Sequence, residues 1–184
     1  MRSLFLEYRP VLRFIGLFLG SYLFLTLVYQ GYLSWSEGGS YQPDYITELV
    51  ARQTSQLLTD FGYDAQVRSY PDYPSMILEV HGRPIAQVVE GCNAVSVIIL
   101  FMAFVIAFGQ GLRKTTLFIF VGAVLIYAIN IFRIAFLTLA LNKYPEYSGF
   151  LHDIVFPGII YGFVLFLWLI WVRMLTPQTG SDHD

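Results

Sequence analysis

One thiol, one arginine inside an apolar run and one histidine beside an aspartate are the residues of this chain that could do chemistry together. Cys92, the single cysteine among 184 residues, stands in Glu90-Gly91-Cys92-Asn93. The thiolate is the nucleophilic form of cysteine, and a helix N-terminus or a nearby cation favours it. An apolar run begins beside Cys92, so the free backbone N–H groups of a helix start should point toward it. Arg133 stays protonated and cannot act as a base. It could stabilise a thiolate, hold a developing oxyanion or anchor a substrate carboxylate. His152 could take the thiol proton and later return it to a leaving amine. Asn130, three residues before Arg133, shares its helix face and could orient the guanidinium or donate to the oxyanion. Asn93 is a weaker oxyanion candidate. Asp153 adjoins His152, and Glu90 could form a structural pair with Arg133.

The elements that must position these groups are dominated by hydrophobicity. Hydrophobic residues make up 56% of the chain and charged residues 13%, about half the usual charged share of a soluble domain. The apolar residues gather into four runs near the roughly 20 residues needed to cross a bilayer. They are Val11–Leu33, about Val88–Phe108, Leu117–Leu141 and Ile154–Leu175. The expected fold is an all-α polytopic membrane protein with four transmembrane helices and a small α+β extracytoplasmic cap between the first two. The first run exceeds the 7–15 residues of a signal peptide, so a retained anchor is expected. The net charge of −2 offers no basic face for nucleic acid. With one cysteine, no intrachain disulfide can form.

Orientation follows from basic residues in short loops. Arg2, Arg9 and Arg13 precede the first run, Arg113 and Lys114 fill the loop between the second and third, and Arg173 ends the fourth. These regions share one side, expected to be cytoplasmic, together with the acidic tail carrying Asp182 and Asp184. The expected organisation is 1–33 (cytoplasmic N-terminus and first helix), 34–87 (cap), 88–175 (a three-helix catalytic core) and 176–184 (cytoplasmic tail). In the cap, Pro43 can occupy a first helical turn. Ile46, Leu49, Val50, Leu57, Leu58 and Phe61 then fall near helical spacing, and Gly62 is a plausible stop. Ala65-to-Ser69 and Met76-to-Val80 alternate as strands do, a turn is expected at His81-Gly82-Arg83, and Ile85 begins a further apolar stretch.

On this topology Cys92 lies at the outer end of the second run. Arg133 lies eight residues before the outer end of the third at Leu141, about 12 Å deep. His152 and Asp153 lie in an outer loop before the fourth. The bland readings are a small buried hydrophobe for Cys92, snorkelling for Arg133 and a solvated loop pair for His152 and Asp153. An arginine inside a span costs at least about 2.5 kcal/mol and usually faces a bundle interior, which favours a role.

Taken together, Glu90-Gly91-Cys92-Asn93, Asn130-Ile131-Phe132-Arg133-Ile134 and Leu151-His152-Asp153 resemble the exosortase/archaeosortase family of membrane cysteine transpeptidases, in its compact exosortase F-type form. The resemblance covers about Val88 to Leu175. It implies Cys92 as nucleophile, Arg133 as stabilising cation and His152 as acid/base, with Asn130, Asn93, Glu90 and Asp153 in support. It implies no cofactor and no metal. The implied partners are membrane-anchored substrates with a C-terminal sorting signal: a short motif, one span and a basic tail. The implied place is a bacterial inner membrane, with both termini cytoplasmic and the site facing outward. Two departures stand out. Asn93-Ala94 follows the cysteine where many members have Ser-Gly, and many members have more spans. The alternative reading is a non-enzymatic membrane assembly or accessory protein with a structural Arg133–Glu90 pair. A lipid- or ion-handling protein would be expected to carry several intramembrane carboxylates.

Overall fold

The computed structural model describes residues 8–37, 43–70, 73–109 and 111–175. Arg2 and the tail 176–184 lie outside them. Among the described residues the longer helices follow in order: α1 (Arg9–Glu37), α2 (Tyr45–Asp60), α3 (Val95–Ala107), α4 (Leu112–Lys143) and α5 (Phe156–Leu175). Three strands, β1 (Ala65–Ser69), β2 (Met76–Val80) and β3 (Arg83–Val88), lie between α2 and α3. Among the described residues, three helices are long and apolar enough to cross a membrane: Arg9–Ser36, Leu112–Lys143 and the stretch Pro145–Met174 that includes α5. The chain is thus a mostly helical membrane protein with a small sheet.

The second apolar run differs from expectation. Its helix, α3, has 13 residues, about 20 Å, short of a full hydrocarbon core. Val88 ends β3, and a 3₁₀ turn, Glu90–Cys92, comes before α3. Hydropathy joined a strand end to a helix because both are apolar.

The expected outer loop before the fourth run is also mostly helical. α4 runs on to Lys143, and Pro145 starts a new 3₁₀ turn. Proline is tolerated there because the first helical N–H groups have no partner anyway. One further turn, Ser148–Phe150, and a π-helical segment, Leu151–Val155, lead without a break into α5.

The helix–sheet unit grows from local signals. Asp44, not Pro43, starts α2, its carboxylate accepting from the N–H groups of Ile46 and Thr47 at 3.0 and 3.2 Å. Gly62, at φ +88°, follows α2 in the left-handed region that a side chain resists. The strands form an antiparallel sheet in order β1-β2-β3. His81 and Gly82, both at positive φ, make the two-residue turn that right-twisted hairpins favour. Pro84 sits on the edge strand, beside a register shift at Leu78/Glu79, where its missing N–H costs little.

Two apolar cores meet at α4. In one, Phe101 and Val105 of α3, Ile126 of α4, and Ile160, Val164 and Trp171 of α5 interlock. Gly122 of α4 makes this possible: a Cβ there would sit 2.2 Å from the Phe101 ring. In the other, Val50 and Ala51 of α2, Met76 and Leu78 of β2 and Val88 of β3 close on Ile134 of α4, with Cys92 packed at the margin. α1 packs on α3 through Tyr29, Leu33 and Ile99.

Candidate active site

Cys92 ends the 3₁₀ turn that links β3 to α3. Its N–H donates to the Val89 carbonyl at 2.8 Å, and the Asn93 N–H donates to the Glu90 carbonyl at 3.3 Å. The chain then reverses through Ala94, whose φ of +66° lies in the left-handed region. A non-glycine residue there is uncommon, and it persists only where neighbours hold it. Ala94 is buried, so its methyl group is packed as well as strained.

Two asparagines flank the thiol, and the fold uses both. Asn130 of α4 donates its side-chain N–H to the Cys92 carbonyl at 2.8 Å. It therefore reaches the cysteine backbone. Asn93 is 1% exposed. Its oxygen accepts from the Val95 N–H at 3.0 Å, serving the first turn of α3. Its nitrogen donates to the Tyr29 hydroxyl at 2.8 Å and to Thr47 Oγ1 at 3.2 Å. The expectation that Asn93 donates to an oxyanion meets an amide nitrogen already engaged with two hydroxyls.

Arg133 lies ten residues before the end of α4 at Lys143, about 15 Å along the axis. It is half-buried, and its Nε is buried with no hydrogen-bond partner from the protein. Buried donors are rarely left so, which marks this one as available to a ligand. The ionisable groups close enough to act on its charge are Cys92 and Tyr161.

His152 lies in the π-helical segment, a local geometry frequent at functional sites. Its Nδ1 is 2.9 Å from an Asp153 carboxylate oxygen, and the two side chains are 70% and 74% exposed. With the carboxylate accepting from Nδ1–H, the neutral ring keeps Nε2 as its proton acceptor.

One cavity of about 300 Å³ is lined by Cys92, Gly91, Arg133, Ile134, His152 and Pro157, among others. Cys92, Arg133 and His152 therefore line one cavity, although they come from the turn before α3, from α4 and from the segment before α5. A larger apolar cavity, about 660 Å³, is lined by Tyr63, Phe136, Tyr144, Phe150 and Leu151, among others. Among the described residues no cluster of His, Cys, Asp and Glu is arranged to hold a metal ion.

Tyr161, near Arg133, and the Tyr29–Thr47 pair behind Asn93 escaped the sequence reading. Tyr161 sits among many aromatic residues of an apolar helix and carries no distinguishing spacing. Thr47 and Tyr29 are 46 and 64 residues from Asn93. Only Asp44 left a signal, as an acidic residue before a helical run.

A model of the transmembrane exosortase family (Exosortase_EpsH) matches residues 11–172, most of the chain. No curated protein and no solved structure shows significant similarity.

Proposed function

The chain belongs to the transmembrane exosortase family, and from that premise we propose that it is a membrane-embedded cysteine peptidase or transpeptidase that cleaves C-terminal sorting signals of exported proteins. The observation that carries this reading is the shared cavity of Cys92, Arg133 and His152. In the proposed reaction His152 Nε2 takes the thiol proton, while Asp153 holds the Nδ1–H. The thiolate attacks the scissile carbonyl, and the charge that develops on oxygen is stabilised by the Arg133 guanidinium. The C–N bond breaks as His152 returns the proton to the leaving amine. Water or an acceptor amine then attacks the thioester, giving up a proton through His152 and releasing the Cys92 thiol.

In this reading α3 is a fourth crossing, and the helix–sheet unit of residues 43–88 lies outside as a cap. The basic residues Arg9, Arg13, Arg113, Lys114 and Arg173 set the termini on the cytoplasmic side of a bacterial inner membrane. A substrate span docks sideways against α3, α4 and α5, which brings its outer juxtamembrane peptide to Cys92.

The test compares C-termini of surface proteins in cells carrying the wild-type chain, Cys92→Ala or Arg133→Ala. Both variants should insert normally and leave sorting signals uncut. Normal processing by Cys92→Ala would eliminate the mechanism and favour a non-enzymatic assembly role.

A further inference from the structure

The turn that presents Cys92 is tied to a buried polar network running through α1 and the start of α2. Asn93 donates to Thr47 Oγ1 and to the Tyr29 hydroxyl. The Thr47 hydroxyl in turn donates to an Asp44 carboxylate oxygen, and the Tyr32 hydroxyl donates to the other. Asp44 also accepts the first N–H groups of α2. Asp44, Thr47 and Asn93 are each no more than 1% exposed. The bonds joining Asp44, Thr47, Asn93 and Tyr29 are therefore made away from water, where bonds polarise one another and a lost partner is costly.

The network ends one residue from the sulfur-bearing residue and one residue before the left-handed Ala94. That backbone is strained for an L-residue, so something must oppose its relaxation. Asn130 opposes it from the α4 side, through the Cys92 carbonyl. Thr47 and Tyr29 oppose it from the α1–α2 side, through the Asn93 amide. A turn gripped from two sides gives the thiol one position, and nucleophilic attack depends steeply on position.

We propose that Thr47 and Tyr29, anchored by Asp44 and acting through Asn93, are positioning residues for the Cys92 thiol. The proposal deepens the peptidase reading and rests on it for its effect on sorting. Its effect on the thiol itself needs no substrate. It makes α1 and the cap helix α2 parts of the reaction apparatus rather than an anchor and a cover.

Cys92 is the only cysteine, so thiol labelling of the full chain reports on it alone. The experiment measures the rate of Cys92 alkylation by N-ethylmaleimide across pH in the detergent-solubilised full chain. It compares wild type, Thr47→Val, Thr47→Ser, Tyr29→Phe and the control Thr54→Val, with signal processing followed in cells. Thr54 is another buried threonine of α2, whose hydroxyl bonds only the Val50 carbonyl. Thr47→Val and Tyr29→Phe should change the alkylation rate at least about threefold, displace its pH midpoint and slow processing about tenfold or more. Thr47→Ser should restore both readouts, and Thr54→Val should lower thermal stability while moving neither. Wild-type alkylation profiles in both Thr47→Val and Tyr29→Phe would overturn the proposal, as would an equal shift in Thr54→Val. Because alkylation is independent of sorting, a failed peptidase reading would show separately, as processing that survives Cys92→Ala.

Discussion

Replacing Asn130 by leucine tests the site at its support rather than at its chemistry. Asn130 is 1% exposed, and its amide donates to the Cys92 carbonyl at 2.8 Å. Leucine keeps the branched skeleton, with two bulkier methyl groups in place of the amide oxygen and nitrogen, and cannot donate. The carbonyl it faces then loses a partner, at a cost of about 1–3 kcal/mol. A loss of about 2 kcal/mol lowers the unfolding temperature of a chain this size by roughly 4–8 °C. The effect on reactivity should be larger, because the lost bond acts on the residue carrying the sulfur. A displacement of about 1 Å is enough to slow a positioned reaction ~100-fold. Thermal unfolding in detergent and maleimide alkylation of Cys92 read the two effects on one sample. Asn130→Asp should resemble Asn130→Leu, since a carboxylate beside a carbonyl cannot donate to it either. The reasoning is refuted if Asn130→Leu keeps both the unfolding temperature and the alkylation rate of the wild type. It is also refuted if processing falls while alkylation does not, because that pattern belongs to an oxyanion donor that contacts substrate.

Other expectations follow from single features. Gly122→Ala drives a methyl group into the Phe101 ring and should cost about 1–3 kcal/mol, read as a lower unfolding temperature with the helical content kept. Arg133→Lys preserves the charge but loses the planar fork, so processing should fall at least about tenfold while membrane insertion is unchanged. Full activity in Arg133→Lys would reduce the guanidinium to a point charge. The His152–Asp153 pair is 70% and 74% exposed, so it contributes at most about 1 kcal/mol, and Asp153→Asn should slow processing less than about tenfold. His152→Ala should slow it much more, and equal losses would show that the pair acts as one unit. Gly82→Ala places a side chain at φ +71° in the hairpin and should destabilise the sheet by about 1 kcal/mol without altering Cys92 alkylation.

The parts of the fold that depend on local pattern were legible in the sequence. Apolar runs marked α1, α4 and α5, and alternation marked β1 and β2, because both signals are periodic along the chain. The start of α3 was misread because Val88 and Val89 are as apolar as a helix, and hydropathy does not distinguish a buried strand end from a span. The segment around His152 falls between two apolar runs, where hydropathy marks no element, whereas Pro145 at a first turn begins a helix. Arg133 and His152 were visible as anomalies of type: a charge within a span and a histidine beside a carboxylate. The work of Asn93 was not visible. Its partners, Thr47 and Tyr29, come from other elements, and only the folded chain brings a threonine, a tyrosine and an asparagine together.

The thirteen residues of α3 rise about 20 Å, whereas the thirty-two of α4 rise about 48 Å. If α3 is the fourth crossing proposed above, lipid crossed by both must accommodate a hydrophobic mismatch, and the cheapest response is to thin around the shorter one. In the four-crossing topology that pinch falls where the sulfur sits. An incoming span of ordinary length would then find its upper turn already stripped of acyl chains and wetted, so its peptide bonds could be reached with little unwinding. Reconstitution in bilayers of graded acyl length reads this directly: turnover should rise as the lipid becomes thinner, and an opposite trend would show that the short helix is matched by its neighbours rather than by the membrane.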